Sequence, residues 1–572
     1  MTFRFVPAVV LFLAGAAACL GAGPKVPEGA LLSNRAWPRP STLREWTADI
    51  MRIEGLEKAT ETAQAKAFFT WNRLFCRMAV GGMIQAHEGV YNQEKSVLDP
   101  HKNLFVYGWG FCDTCSRAAE AAWSEFKGDA HAAERVITQH EDGGFHTMYR
   151  LRLDGKHGAF DPRYGYYLVA EDSASARILD WAEVGDDANL IRNKSYRHRS
   201  RPYFEIGRIE WERALLIQPT YFASQDAWEK AGAPHESVFG DPKHVFGSSY
   251  HDMHFRLPRG TTITTILGQL GAELYRPEGA RAKREFPFLS SGRFYRVTDA
   301  SHDGNWPKSD PNYAKAEPYL SNVPKGEGYD AELEGGRTIG QAWGSVTYAP
   351  ELSSDDLEDV LAPGSTLELA EAAPYLRAKD PVGGGSAILD FYSPYVLVDG
   401  DLEATLEGPE GGTSIELRTL LAKATFDEAD QWSRWQRLST ASSTVRAELG
   451  RPRFNGKDVS IHGVYRFQIR VSVKGDPQGR PAGLSALRWK LSFETSIMSI
   501  PPLFSGKNKM RFEVADASRL RAPVTVTYEY ESATGERRHR QRIPPDAFEG
   551  NVADYEIDAE GLVRCRSVSI RY

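Results

Sequence analysis

The period of the hydrophobic positions changes along the chain. From about Thr42 to His87 apolar residues recur with a helical period, as in the run Ala65 to Phe75. After a Gly-containing turn, Cys115, Ala118, Ala119, Ala122, Trp123 and Phe126 fall at i, i+3, i+4, i+7, i+8 and i+11 counted from Cys115. This predicts an amphipathic helix opening at Cys112, with Asp113, Ser116, Arg117, Glu120, Ser124 and Glu125 on its other face. Further on, Thr147, Tyr149, Leu151 and Leu153 alternate with His146, Met148, Arg150 and Arg152, a strand with one apolar face and one open face. Asp154-Gly155 is a two-residue hairpin signal. It places Leu153 opposite Lys156 and Met148 opposite Asp161. Residues 205–245 read as irregular to helical. From about Ser248 the pattern becomes short alternating strands between Gly, Pro and Asp turns, for example Thr261 to Leu267, Val464 to Val473 and Val524 to Tyr530. That spacing favours antiparallel sandwiches.

Length then sets the organisation. The chain has 572 residues, too many for one core. Arg4, the apolar run Val9 to Ala14 and the small residues Ala16 to Ala18 form the three regions of a secretory signal. The apolar run is too short for a permanent span, and no other segment is apolar enough to cross a membrane. The expected divisions are a signal peptide at 1–22, a linker at 23–45 containing Pro24, Pro27, Pro38 and Pro40, and an α+β domain at 46–247. A β-rich domain at 248–380, a β-sandwich at 381–500 and C-terminal strands at 501–572 follow, with an interdomain linker at Pro381 to Ser386. The chain is thus expected to be exported, periplasmic or extracellular. Ala16-Ala17-Ala18-Cys19 loosely resembles a lipoprotein box without its usual Leu, and simple cleavage ranks above anchoring through Cys19.

Charge narrows the partners. A net charge of -7 and the lack of a Lys/Arg block argue against nucleic acid. Of five cysteines, Cys19 belongs to the signal region, and Cys76, Cys112, Cys115 and Cys565 are too few for a disulfide scaffold in so long a chain. Cys112 has the most specific setting. At a helix N-terminus, the macrodipole and free N–H groups favour the nucleophilic thiolate and could stabilise an oxyanion. In the hairpin, Asp161 sits one diagonal from His146, within reach of an Asp–imidazole hydrogen bond. The three residue types are those of a nucleophile, a base and an orienting carboxylate.

Gly110-Phe111-Cys112 opening a helix, His146 beginning a strand and Asp161-Pro162 closing the next resemble the transglutaminase-like superfamily of papain-type thiol enzymes, including its bacterial protease-like members. The resemblance spans about residues 60–200. Together with the chain's length and the strand pattern after Ser248, it gives the expected fold: a multidomain chain with an N-terminal α+β transglutaminase-like (papain-like) domain followed by antiparallel β-sandwich domains. The resemblance also implies Cys112 as nucleophile, His146 as general base and acid, and Asp161 as the residue that orients His146, with no cofactor and no metal. The family often has an aromatic residue at the position of Cys115 and a Trp at that of Met148. An upstream oxyanion-hole side chain has only Trp109 and Asn103 as nearby candidates.

Other readings compete. Cys112-x-x-Cys115 is also a redox or metal spacing, though no second ligand pair accompanies it. His131, His140 and His157 are alternative bases. His251 and His254 read as surface or packing residues, and Arg150 and Arg152 as a solvated strand face. The function expected is cleavage or transfer of the acyl group of an amide through a Cys112 thioester, with hydrolysis ahead of transamidation. The substrate would be a protein, peptide or cell-wall polymer. The rival is a non-catalytic protein on a papain-like scaffold that binds extracellular polysaccharide or cell-wall material.

Overall fold

The computed structural model describes residues 29–78, 99–110, 112–139, 145–162, 166–169, 177–180, 183, 197–199, 220–222, 251–267, 341–420, 431–439, 444–450, 459–461 and 463–572. The signal peptide, Cys19 and His140 lie outside the described residues.

Strand β1 (Ala30–Asn34) leads to helix α1 (Leu43–Glu54). The Thr42 hydroxyl caps α1 by accepting from the Glu45 amide at 3.1 Å, and Gly55 ends it at φ 67°, a left-handed position that favours glycine. Helix α2 (Glu61–Phe75) starts at Thr60, whose hydroxyl accepts from the Ala63 amide at 3.3 Å. Two short strands, β2 (Arg77–Met78) and β3 (Trp109–Gly110), then pair in parallel, with a π-helical turn at Lys102–Tyr107 before β3. Helix α3 (Cys112–Lys127) follows.

Behind α3 stand β4 (Ala133–Gln139), β5 (Phe145–Leu153), β6 (Lys156–Asp161), β7 (Tyr166–Leu168), β8 (Arg197–Arg199) and β9 (Thr220–Phe222). They form one antiparallel sheet in the order β8-β7-β6-β5-β4-β9. The β5–β6 hairpin pairs Leu153 with Lys156, and Asp154 and Gly155 both have positive φ, 50° and 80°. This is the two-residue turn that the Asp-Gly signal predicts. Trp46, Trp71 and Trp123, one from each helix, are fully buried. Phe69 of α2 packs on the sheet, 5.2 Å from the Phe160 ring and 5.7 Å from Tyr167.

The rest is mostly antiparallel β-sheet with few helices, as sandwich domains require. Its strands are β10 (Thr261–Ile266), β11 (Gln341–Tyr348), β12 (Leu367–Leu369), β13 (Leu376–Ala378) and β14 (Gly384–Glu407). Then come β15 (Thr413–Thr419), β16 (Gln436–Ser439), β17 (Thr444–Glu448), β18 (Val464–Lys474) and β19 (Gly483–Ser496). The series ends with β20 (Lys507–Val514), β21 (Val524–Ser532), β22 (Gly535–Ile543), β23 (Val552–Asp558) and β24 (Leu562–Arg571). The main ladder runs β16-β15-β18-β14-β19-β11-β10-β24-β21-β22. The 24 residues of β14 pair first with β18 and then with β19, with register shifts after Tyr392 and Leu397. Such irregularities let one strand bend from one sheet layer towards another.

Three features differ from the sequence reading. Residues 30–34, expected within a linker, are a buried strand that pairs along its length with β20. The Pro381 to Ser386 segment is not an interdomain connection: it turns directly into β14. Gly384 has φ 76°, and a Cβ there would meet the Val473 carbonyl oxygen at 2.5 Å. The ladder also crosses the boundaries expected at 380/381 and 500/501, because β10 pairs with both β11 and β24, and β11 pairs with β19. Sheet pairing is long-range, so composition shifts along the chain do not reveal it. Among the described residues no helix is long and apolar enough to cross a membrane.

Candidate functional site

The site expected from the sequence lies where α3 meets the β4–β5–β6 ladder. Cys112 is the first residue of α3, His146 pairs with Thr138 near the start of β5, and Asp161 ends β6. The side chains of Cys112 and His146 lie outside the described residues, as does that of Trp109. Asp161 is 1% exposed. Ser116, one helical turn after Cys112, donates from Oγ to the Thr147 carbonyl at 3.4 Å. A turn of helix rises only about 6 Å over four residues. The backbones of Cys112 and His146 therefore flank one contact between helix and strand.

The polar stripe of α3 is not solvated. Ser116, Arg117 and Ser124 are buried, and the stripe faces the sheet. Arg135 of β4 reaches it, with Nε 2.6 Å from Glu120 Oε2 and an Nη 3.0 Å from Asp113 Oδ1. The Arg117 guanidinium lies 3.7 Å from Asp113. Burial and the neighbouring Arg135 charge lower the Arg117 pKa to about 10, opposed by Asp113 and Glu120. These carboxylates and guanidiniums fix the first turns of α3 against β4. Their partners are 15 and 22 residues away in sequence, which is why helical periodicity could set this stripe apart but not name what covers it.

Side-chain alternation assigns the two faces of this sheet. Arg135, Tyr149 and Phe160 lie opposite one another and face the helices, with the Tyr149 and Phe160 rings stacked at 5.4 Å. Met148, Ala159 and Asp161 occupy the alternate positions, on the other face. A relay from Cys112 to Asp161 would therefore have to close round the first residues of β5, not across the middle of the sheet. The face expected to be open is largely closed. Met148 is 1% exposed, and Arg150 is held by Glu134 at 2.6 Å and Asp180 at 3.2 Å. Arg152 extends outward and pairs with Asp129. His131 is exposed in the turn after α3, and His157 is half-buried in β6.

The sequence reading passed over a second polar cluster. Asp99, His101, Lys102 and His251 are all buried. The Asp99 carboxylate accepts from the His101 amide at 2.8 Å and from the His251 amide at 3.1 Å. One His251 ring nitrogen, Nε2, lies 2.7 Å from the Pro394 carbonyl, and the ring packs edge-on against Tyr465 at 4.7 Å. Burial, reinforced by the Lys102 charge, holds the His251 pKa far below the usual imidazole range. The Lys102 ammonium sits 4.3 Å from the Tyr465 ring centroid. These contacts fasten the π-helical turn to the β strands. The reading of His251 as packing fits this placement. His254 is half-buried and pairs with Asp252 at 2.6 Å. The only advance signal was the His251-Asp-Met-His254 spacing, which says nothing of Asp99 or Lys102.

Cys76 and Cys115 are buried, with their Sγ atoms 3.0 Å apart. Cys565 is buried in β24, where loss of hydration pushes its thiol pKa to about 12.

No protein-family model matches the chain, and no curated protein is significantly similar to it. Among solved structures, a glycosyl hydrolase family 2 member from Bacteroides cellulosilyticus DSM 14838 aligns over 33% of this chain and 24% of its own, at 8% identity and a TM-score of 0.11. An allantoicase aligns over 34% of this chain and 76% of its own, at 10% identity and a TM-score of 0.16. A Paenibacillus xanthan lyase aligns over 37% and 25%, at 7% identity and a TM-score of 0.13. The chain thus spans about a quarter of the length of the glycosyl hydrolase and the lyase. At these scores the alignments carry no functional argument.

Proposed function

We propose that the chain is an exported thiol enzyme that cleaves or transfers the acyl group of an amide. Cys112 attacks the amide carbonyl carbon and releases the amine as a thioester forms. Water then hydrolyses the thioester. His146 takes the thiol proton and returns it to the leaving amine, and Asp161 orients the imidazole. The observation that carries this reading is the Ser116–Thr147 contact, which sets the helix start at Cys112 beside the strand position of His146. Asp161, buried at the end of the same hairpin, supports it. The substrate class is a protein, peptide or cell-wall polymer. The test is turnover of peptide and glycan libraries by the wild type and by Cys112→Ala. Turnover that survives the substitution would falsify the assignment.

A second reading, a polymer-binding protein without catalysis, draws on the outer face of β15 and β18. There Arg418 lies 4.7 Å from the Trp432 ring centroid and 4.5 Å from that of Trp435. Arg470 lies 4.4 Å from Trp435. Both indoles are half-exposed. Half-exposed aromatic rings among guanidiniums suit an acidic polysaccharide. A thiol-reactive probe separates the two readings. Fast labelling of Cys112 at neutral pH supports the enzyme. Uniformly slow labelling, with retention on immobilised polyuronate, supports the binder.

A further inference from the structure

We propose that Cys76 and Cys115 form a disulfide that clamps the end of α2 to the first turn of α3. Their Sγ atoms are 3.0 Å apart, about 1 Å beyond the length of a sulfur–sulfur bond, so closure asks for little backbone movement. Both residues are almost fully buried, Cys76 at 2% and Cys115 at 1% exposure. The Cys115 thiol also points to the Cys76 carbonyl oxygen, at 3.7 Å. Cys76 is the C-cap of α2 in extended backbone, with its amide bonded to the Asn72 carbonyl at 2.7 Å. Immediately after it, β2 pairs in parallel with β3, which leads into α3. Two independent backbone features thus hold the pair together before any covalent bond forms.

The chemistry balances with a disulfide oxidant, for which oxidised glutathione serves as the probe. One cysteine thiolate attacks the glutathione disulfide and expels a glutathione thiolate. The second cysteine then attacks the mixed disulfide and expels the other. The protein gives up two protons and two electrons, one Sγ–Sγ bond forms, and two molecules of reduced glutathione result. Because both thiols are enclosed in the finished fold, the bond forms as the chain folds. The two cysteines are 39 positions apart, so the bond closes a substantial loop and restricts the unfolded chain.

The inference also bears on Cys112. A Cys-x-x-Cys redox site would join Cys112 to Cys115, whereas the structure offers Cys115 a different partner. The disulfide rests on the Cys76–Cys115 geometry alone and holds whether or not Cys112 is a nucleophile.

The test uses the full chain refolded in oxidised and reduced glutathione. Free thiols are alkylated under denaturing conditions, the protein is digested without reduction, and cross-linked peptides are identified by mass spectrometry. The expected result is a peptide pair joined through Cys76 and Cys115, with Cys112 alkylated. A Cys112–Cys115 link would overturn the proposal and the thiol-enzyme reading together. Alkylation of Cys76 and Cys115 alike, in protein folded under excess oxidised glutathione, would overturn the proposal alone. A second measurement concerns stability. Reductant should lower the unfolding midpoint of the wild type by several degrees and leave that of Cys76→Ala unchanged, while an equal response in both would also overturn the proposal.

Discussion

Arg135 Nε lies 2.6 Å from Glu120 Oε2, joining β4 to the sheet-facing stripe of α3 at side chains only 4% and 14% exposed. Removing Arg135 from so enclosed a pair leaves Glu120 only the weaker attraction of Arg117, and breaking a buried pair costs about 3–5 kcal/mol. Arg135→Met should lower stability by roughly that amount in chemical denaturation. Arg135→Met combined with Glu120→Gln should recover part of the loss, because the stranded carboxylate is then neutral. A double variant less stable than the single one would show that this pair does not hold α3.

The two thiols in the first turns of α3 should behave differently in catalysis. Cys112→Ala should remove essentially all turnover, since loss of a triad nucleophile costs several orders of magnitude in rate. Cys115→Ala should keep the chemistry and lose stability, because Cys115 is buried beside Cys76. Turnover and denaturation midpoints of both variants check this. Equal loss of turnover from two well-folded variants would point to a redox pair.

Acid should destabilise the protein through His251. Burial and Lys102 lower its folded pKa below the unfolded value of about 6.5. The neutral ring is therefore the form that folding favours. Its stabilising contribution is complete above about pH 6.5 and is lost as pH falls towards the folded pKa, at up to about 1.4 kcal/mol per pH unit. His254, whose pKa is raised by its hydrogen bond to Asp252, acts in the opposite sense and is half-exposed. Between pH 7 and 5 the denaturation midpoint should fall more steeply for the wild type than for His251→Asn. Parallel slopes would remove His251 as the cause.

Asn508 should anchor β1. Its Oδ1 accepts from the Asn34 side chain at 3.0 Å and from the Phe504 amide at 2.8 Å, and its Nδ2 donates to the Phe504 and Gly506 carbonyls, both at 2.8 Å. Asn508→Ala leaves several of these groups unpaired in a buried position, at about 1–3 kcal/mol for each that water cannot reach. The variant should lose stability and admit limited proteolysis near residues 29–41 first. Cleavage elsewhere, with that segment intact, would contradict the anchoring role.

What the sequence made legible was local. The Asp154-Gly155 turn, the Leu153–Lys156 register and the start of α3 at Cys112 depend on neighbours a few positions away, and all three are present. The strand at 30–34 escaped detection because it is short and its partner is β20, near the other end of the chain. The same holds for the Cys76–Cys115 approach and for Asp99 beneath His251. Each joins segments whose separate patterns carry no mark of the other. The side on which Asp161 stands relative to α3 was also invisible. A strand pattern gives two faces without saying which one a helix will cover.

The pairing of β1 with β20 has a consequence for the order in which the protein is made. Asn34 and Asn508 are 474 positions apart, so the earliest described strand emerges from the ribosome long before the strand that completes it. Until then Leu31 and Leu32, buried in the finished molecule, have no sheet to join. Synthesis alone cannot close the structure from its leading end. The N-terminal segment must wait, and a chain interrupted before about residue 514 would leave it only the backbone bridge between Ala30 and Phe255. The fold at this end locks only once β20 has followed.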